Sequence, residues 1–210
     1  MLNNKLNNAY YAVKKTQIVF LAVFCFFKEM QKIEFIGGMV MELKSCCFIG
    51  HRMVENPEQI RDKLRNVLIE LLQQNYSVFY FGSKSKFDDI AWEVVTELKK
   101  ENHLIKRVYV RSMYSEVDEA YKKYLLESYE DTYMPDGIEN AGRASYVERN
   151  QAMINVSDCC VFYYLERYLP EQRKKAKRDL FVYQPKSGTK VAYDYAVTKR
   201  KKIINIANCP

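Results

Sequence analysis

Glycine is scarce in this chain, at 7 of 210 residues, roughly half its usual share. That excludes a collagen-like or Gly-rich linker protein, and it makes the position of each glycine informative. Histidine is scarcer still, at 2, and tryptophan occurs once. With only His51 and His103, and no C-x-x-C, the chain lacks the material for the usual structural zinc sites, so no metal is expected. Six cysteines are present, but not as a secreted framework. Four of them form the adjacent pairs Cys46-Cys47 and Cys159-Cys160 inside apolar runs, where neighbouring strand side chains face opposite ways. They read as small core residues in a reducing cytoplasm.

Several fingerprints are absent as well. There is no G-x-G-x-x-G and no G-x-x-x-x-G-K-[ST], which argues against ordinary Rossmann dinucleotide chemistry and P-loop NTPases. A G-x-S-x-G elbow and an H-E-x-x-H helix are also missing. The apolar run Ile18–Phe27 is ten residues long, short of the roughly 20 that a spanning helix needs. No small-x-small cleavage site follows it. Residues 1–40 are therefore expected to be an N-terminal extension outside the fold, with a misassigned upstream start preferred over a membrane anchor. A domain is expected over 41–210, in the cytoplasm and with no membrane partner.

What the chain does have is charge and rhythm. Lys and Arg number 33 against 26 Asp and Glu, a net +7, compatible with an anionic ligand or with an ordinary Lys-rich surface. From residue 44 onward, two periods alternate. Ser45–Ile49, Tyr76–Phe81, Ile105–Val110, Cys159–Tyr164 and Ile203–Ile206 are short, nearly continuous apolar runs, the pattern of strands buried on both faces. Between them, Ile60, Leu64, Val67, Leu68, Leu71 and Leu72 mark one helical stripe, capped by Asn56 with Pro57 behind it. Phe87, Ile90, Ala91, Val94, Val95 and Leu98 mark a second. Further helices are expected over 116–129, 144–156 and 187–199, an irregular stretch over 131–142, and a short extra strand over 181–183. Trp92 lies off its helix's stripe and is assigned to a rim or dimer contact, which is compatible with a homo-oligomer. The pattern predicts a single α/β domain with a Rossmann-like, doubly wound, mostly parallel sheet.

In such sheets ligands bind beyond the carboxyl ends of the strands, where loops enter helix N-termini. Gly50, Gly82 and Gly188 all fall there. Each is either an ordinary tight turn or a place where backbone N–H groups meet an anion. Ser83, Ser85, Ser187 and Thr189 offer hydroxyls beside these glycines, and Arg52 could clamp a phosphate with its planar fork. Asp88 is either an acceptor for ribose hydroxyls or a first-turn acid favoured by the helix dipole. Arg149 and Asn150 are either ligand contacts or a surface Arg and a packing Asn. His51 is read as orienting its turn by hydrogen bonding. With Asp88 and Glu148 it is one of three weak candidates for an acid or base; no catalytic residue is assigned.

Cys46-Cys47-Phe48-Ile49-Gly50-His51-Arg52, Gly82-Ser83 through Asp88, Arg149-Asn150 with Met153, Ser157-Asp158 and Ser187-Gly188-Thr189 together resemble the SLOG superfamily. These are the Rossmann-like proteins related to DprA/Smf and to the LOG phosphoribohydrolases, and the pattern is most similar to the YpsA-like branch. The resemblance spans about residues 44–207. It implies a small-molecule nucleotide ligand, of nucleoside phosphate or ADP-ribose/NAD type, with phosphate at Gly82–Ser83 and Ser187–Thr189. No further cofactor is implied. LOG hydrolases carry P-G-G-x-G-T-x-x-E with a catalytic glutamate, whereas here that position is Ala192. The expected function is accordingly a nucleotide-binding sensor or regulator. The alternatives are hydrolysis of an N-glycosidic or phosphate bond, and DprA-like nucleic-acid binding through the basic run Arg167–Arg178.

Overall fold

The structure is a computed structural model that describes residues 33–36, 39–82, 84–112, 119–138, 141–168 and 187–208. The chain divides into two compact units, Met1–Leu43 and Lys44–Pro210. In the first, β1 (Ile33–Ile36) pairs antiparallel with β2 (Met39–Glu42), Ile33 opposite Glu42. No strand was expected here. Two β-rich runs flanking Gly37-Gly38 are nevertheless a hairpin signal.

The second unit alternates strand and helix: β3 (Lys44–Gly50), α1 (Pro57–Gln73), β4 (Tyr76–Phe81), α2 (Lys86–Glu101), β5 (Lys106–Val110), α3 (Glu119–Ser128), β6 (Asp131–Tyr133), α4 (Ser145–Val156), β7 (Cys159–Tyr163), α5 (Gly188–Thr198) and β8 (Lys202–Asn205). The six strands form one sheet in the order β6-β5-β4-β3-β7-β8, and every pairing is parallel. The chain thus winds outward from β3 to β6, then returns to lay β7 on the other side of β3. It is a Rossmann-like α/β sheet whose winding reverses between β3 and β7, the crevice where such folds bind ligands.

Strand alternation divides the core between the two faces. Cys46, Phe48, Phe79, Phe81, Cys159 and Val161 meet the stripes of α1 and α2, among them Leu64, Leu68, Val94 and Val95. On the opposite face Cys47, Ile49, Val110, Cys160 and Phe162 meet Met153 and Ile154 of α4 and Ala192 and Ala196 of α5. The β3–β7 register sets Cys46 opposite Cys159 and Cys47 opposite Cys160, one buried pair on each face, and all four thiols are free. Burial pushes the Cys46 and Cys47 thiols well above their ordinary value. At the start of this seam, Asp158 Oδ2 accepts from Ser45 N at 2.8 Å and from Ser45 Oγ at 2.9 Å.

Two local expectations need correction. The stretch 131–142 opens with strand β6, which is too short to show alternation. Pairing with β5 and the fork of Arg107 on Glu130 hold it in place. Asn56 precedes α1 but makes no side-chain cap; it sits in the left-handed region at φ 48°. Trp92 is half-buried, its Nε1 donating to Ser128 O at 3.4 Å with Arg107 over its ring. Tyr124 on α3 is 62% exposed. Gly137 and Gly142 have φ of 82° and 52°, which accounts for glycine at both. The expected strand over 181–183, and the basic run beyond Tyr168, lie outside the described residues.

Candidate functional site

At the carboxyl edge of β3, Gly50 is required by packing. A Cβ there would lie 2.4 Å from Phe87 Cδ1 and 2.5 Å from Phe87 Cβ. Phe87 is fully buried in the first turn of α2, its ring stacked on Tyr163. The glycine therefore lets α2 settle onto the strand end. His51 follows and bridges the crevice. Its backbone N donates to Tyr163 O at 3.2 Å, and its Nε2 accepts from Leu165 N at 3.0 Å. The ring lies 3.9 Å from that of Tyr168, nearly parallel, with Tyr164 tilted beside it. Burial lowers the His51 pKa. The neutral ring, accepting at Nε2, carries its proton on Nδ1, and Nδ1 is buried with no partner among the described residues. The reading of His51 as a turn-orienting residue fits this geometry. Arg52 is exposed, and its carbonyl accepts from Lys86 N at 3.0 Å.

The loop after β4 is built around Arg149. A Cβ on Gly82 would lie 2.8 Å from both Arg149 Cδ and Met153 Sδ, so this glycine too makes room for side chains. Arg149 is 4% exposed. Its Nη1 donates to Gly82 O, while Nε and Nη2 reach Asn150 Oδ1 at 3.2 and 3.0 Å. Tyr146 covers the guanidinium at 5.5 Å. Burial lowers the Arg149 pKa, and the charge of Asp88 opposes that shift. Its hydrogen bonds run to a carbonyl and an amide, neither of which carries charge, and they use three of its five N–H groups. A desolvated guanidinium with two N–H groups beyond its described bonds is a ready partner for an oxyanion.

Ser85 and Asp88 serve the helix. Ser85 Oγ accepts from Asp88 N at 3.1 Å, capping α2, and donates to Asp88 Oδ2 at 2.5 Å. Ser187 likewise caps α5, its Oγ accepting from Lys190 N at 3.0 Å. Gly188 is exposed, with nothing within 4 Å of where a Cβ would stand, and Thr189 is buried. Lys190 reaches Tyr164 Oη at 3.4 Å. Glu148 is exposed and Asn150 half-buried, while Ser83 lies outside the described residues. Ala192 is buried in the core. Beside α2, a cavity of about 280 Å³ is lined by Lys86, Asp88, Asp89, Trp92, Glu93 and Tyr129. Among the described residues no cluster of three or more His, Cys, Asp or Glu could hold a metal, and no helix is long and apolar enough to cross a membrane.

Two residues at this edge were not singled out from the sequence. Ser145 opens α4, fully buried, with no partner for its Oγ among the described residues; Arg111 follows β5 with its Nε buried in the same condition. Neither carries a local signal, because their burial depends on how distant elements pack. No protein-family model matches the chain, and no curated protein matches it either.

Proposed function

We propose that the domain binds a nucleotide or nucleotide-derived ligand at the carboxyl edge of its sheet and acts as a sensor or regulator. The ligand's phosphate would lie against the loop after β4. The observation that carries this reading is Arg149, a buried guanidinium beside Gly82 whose described hydrogen bonds all go to uncharged acceptors. The SLOG resemblance supports the same ligand class, as does the crevice between β3 and β7. Binding is favoured over hydrolysis by the state of the candidate acids and bases. Asp88 is engaged in a helix cap, His51 accepts a backbone hydrogen bond, and the position matching the LOG glutamate is Ala192 in the core.

A calorimetric panel of AMP, ADP-ribose, NAD and cyclic dinucleotides tests the proposal, with chromatography of the incubated nucleotides. At least one nucleotide binds, Arg149→Lys weakens it by losing the planar fork, and no base or ribose phosphate is released. If nothing in the panel binds, the reading is wrong. Release of either product turns it into the hydrolase reading.

A further inference from the structure

Ser145, Arg149 and Met153 stand at i, i+4 and i+8 on α4, a single face of the helix. All three are buried, at 0%, 4% and 1% exposure, whereas Tyr146 and Glu148 between them are exposed. This stripe faces the end of β4, because Arg149 and Met153 both close on the space above Gly82. A helix that leads into a parallel strand runs opposite to it, so the first turn of α4 lies at the carboxyl edge. Ser145 therefore sits about 6 Å further along the helix axis from Arg149, toward the outside of that edge.

A fully buried hydroxyl without a partner costs stability, so such groups are rare and call for a reason. The position of this one supplies it. The Ser145 Oγ has a hydrogen to donate, and Arg149 one turn away has two N–H groups beyond its described bonds. Arg111 Nε, one residue past the strand that adjoins β4, is a further buried donor without a described partner. Donors grouped within one helical turn suit a single compact oxyanion more than an extended diphosphate. Charge-assisted bonds from a hydroxyl and a planar fork are the usual way to hold a terminal phosphoryl group.

We infer that Ser145 and Arg149 form the subsite for a terminal phosphate monoester, with the Ser145 hydroxyl as a donor that stays unpaired until the ligand arrives. This inference rests on the nucleotide-binding reading above, and it adds the monoester class and the serine. It also gives one substitution opposite effects on folding and on binding. A serine that stabilised the fold would lose stability on truncation. A serine kept for a ligand loses only affinity.

The test is Ser145→Ala in the full chain, with Ser145→Thr as the conservative variant. Urea midpoints are read without ligand, and calorimetry is run with AMP, adenosine and ADP-ribose. The expected result is a midpoint unchanged or raised, AMP affinity lowered about tenfold or more, adenosine affinity unchanged, and recovery of AMP binding in Ser145→Thr. A lowered midpoint with unchanged AMP affinity overturns the inference and makes the serine structural. Equal AMP affinity in wild type and Ser145→Ala overturns it while leaving nucleotide binding intact. Binding of ADP-ribose without AMP overturns the monoester class alone, and failure of all three to bind wild type overturns the subsite and the nucleotide reading together.

Discussion

Gly50, Gly82 and Gly188 stand at the same edge of the sheet, yet they should respond differently to a single added methyl. In Gly50→Ala the new Cβ lies 2.4 to 2.5 Å from three atoms of Phe87, one of them Phe87 Cβ. Ordinary carbon contacts are about 3.5–4.0 Å, so Phe87 must retreat by about 1 Å. It cannot do so by turning its ring alone, and the ring is stacked on Tyr163 in a closed core. Overpacking of this kind costs about 1–3 kcal/mol, and the backbone-linked clash puts it near the top of that range. The gain from restricting the unfolded chain, about 0.4–1 kcal/mol, leaves a net loss of about 2 kcal/mol. In Gly82→Ala the obstructing atoms are Arg149 Cδ and Nε and Met153 Sδ, at 2.8 to 2.9 Å. These belong to long side chains that can shift, so the net loss is smaller, about 1 kcal/mol. Gly188→Ala meets nothing within 4 Å at the first residue of α5, and should stabilise by about 0.5 kcal/mol. Urea unfolding followed by far-UV circular dichroism reads all three. With a slope of about 2 kcal/mol/M, the midpoint falls by about 1 M for Gly50→Ala, falls by about 0.5 M for Gly82→Ala, and rises by about 0.2 M for Gly188→Ala. A neutral Gly50→Ala, or a Gly188→Ala as damaging as it, would refute the packing argument.

Two further outcomes are expected. Arg200 follows α5 at φ 53°. Lys201 N donates to Ala196 O and Arg200 N to Val197 O, the helix ending that normally takes glycine. Arg200→Gly should therefore raise stability by about 0.5–1 kcal/mol, visible as a higher thermal midpoint; a lower midpoint would show that the arginine side chain matters more than its backbone. His51 is buried and neutral, so its folded pKa lies below its ordinary value of 6.5. Below pH 6.5 the unfolded chain takes up the proton first, so the stability that is full above that pH declines as pH falls toward the folded pKa. The extra slope is at most about 1.4 kcal/mol per pH unit. Urea midpoints at pH 7.5, 6.5 and 5.5 should fall more steeply for wild type than for His51→Gln, and identical slopes would contradict the assignment.

Much of the fold was legible because its strands are apolar on both faces and its helices carry clear stripes. Phe48, Phe79 and Val161 on one side, and Ile49 and Phe162 on the other, need no tertiary information to be placed in a covered parallel sheet. Strand β6 escaped because Asp131-Thr132-Tyr133 has no pattern of its own; its place comes from Tyr109, whose carbonyl takes the Thr132 hydroxyl at 2.9 Å, and from Glu130 on Arg107. The spacing of Ser85 and Asp88 carries a cap signal that the reading of Ser85 as a ligand hydroxyl passed over. The glycine positions were legible, but their physical reason was not. Phe87 lies 37 residues from Gly50 and Arg149 lies 67 from Gly82, and only folding brings such pairs into contact. The same holds for Ser145, whose importance rests on burial.

The order of strands also fixes the order in which a growing chain can finish the domain. β3 lies in the middle of the sheet, but one of its two neighbours is β7, as the Ser45–Asp158 pair shows across 113 residues of sequence. At about 5–20 residues per second, a ribosome takes about 6–20 s to cover that distance. For that interval the apolar edge of β3 has no partner, a template for wrong pairing that must be shielded until β7 arrives. The elements that arrive late are also those that complete the carboxyl edge of the sheet: α4 with Arg149, β7 beside His51, and α5 with Thr189. The carboxyl edge is thus the last part of the nascent domain to be completed, and the proposed ligand has no site there until synthesis is nearly done.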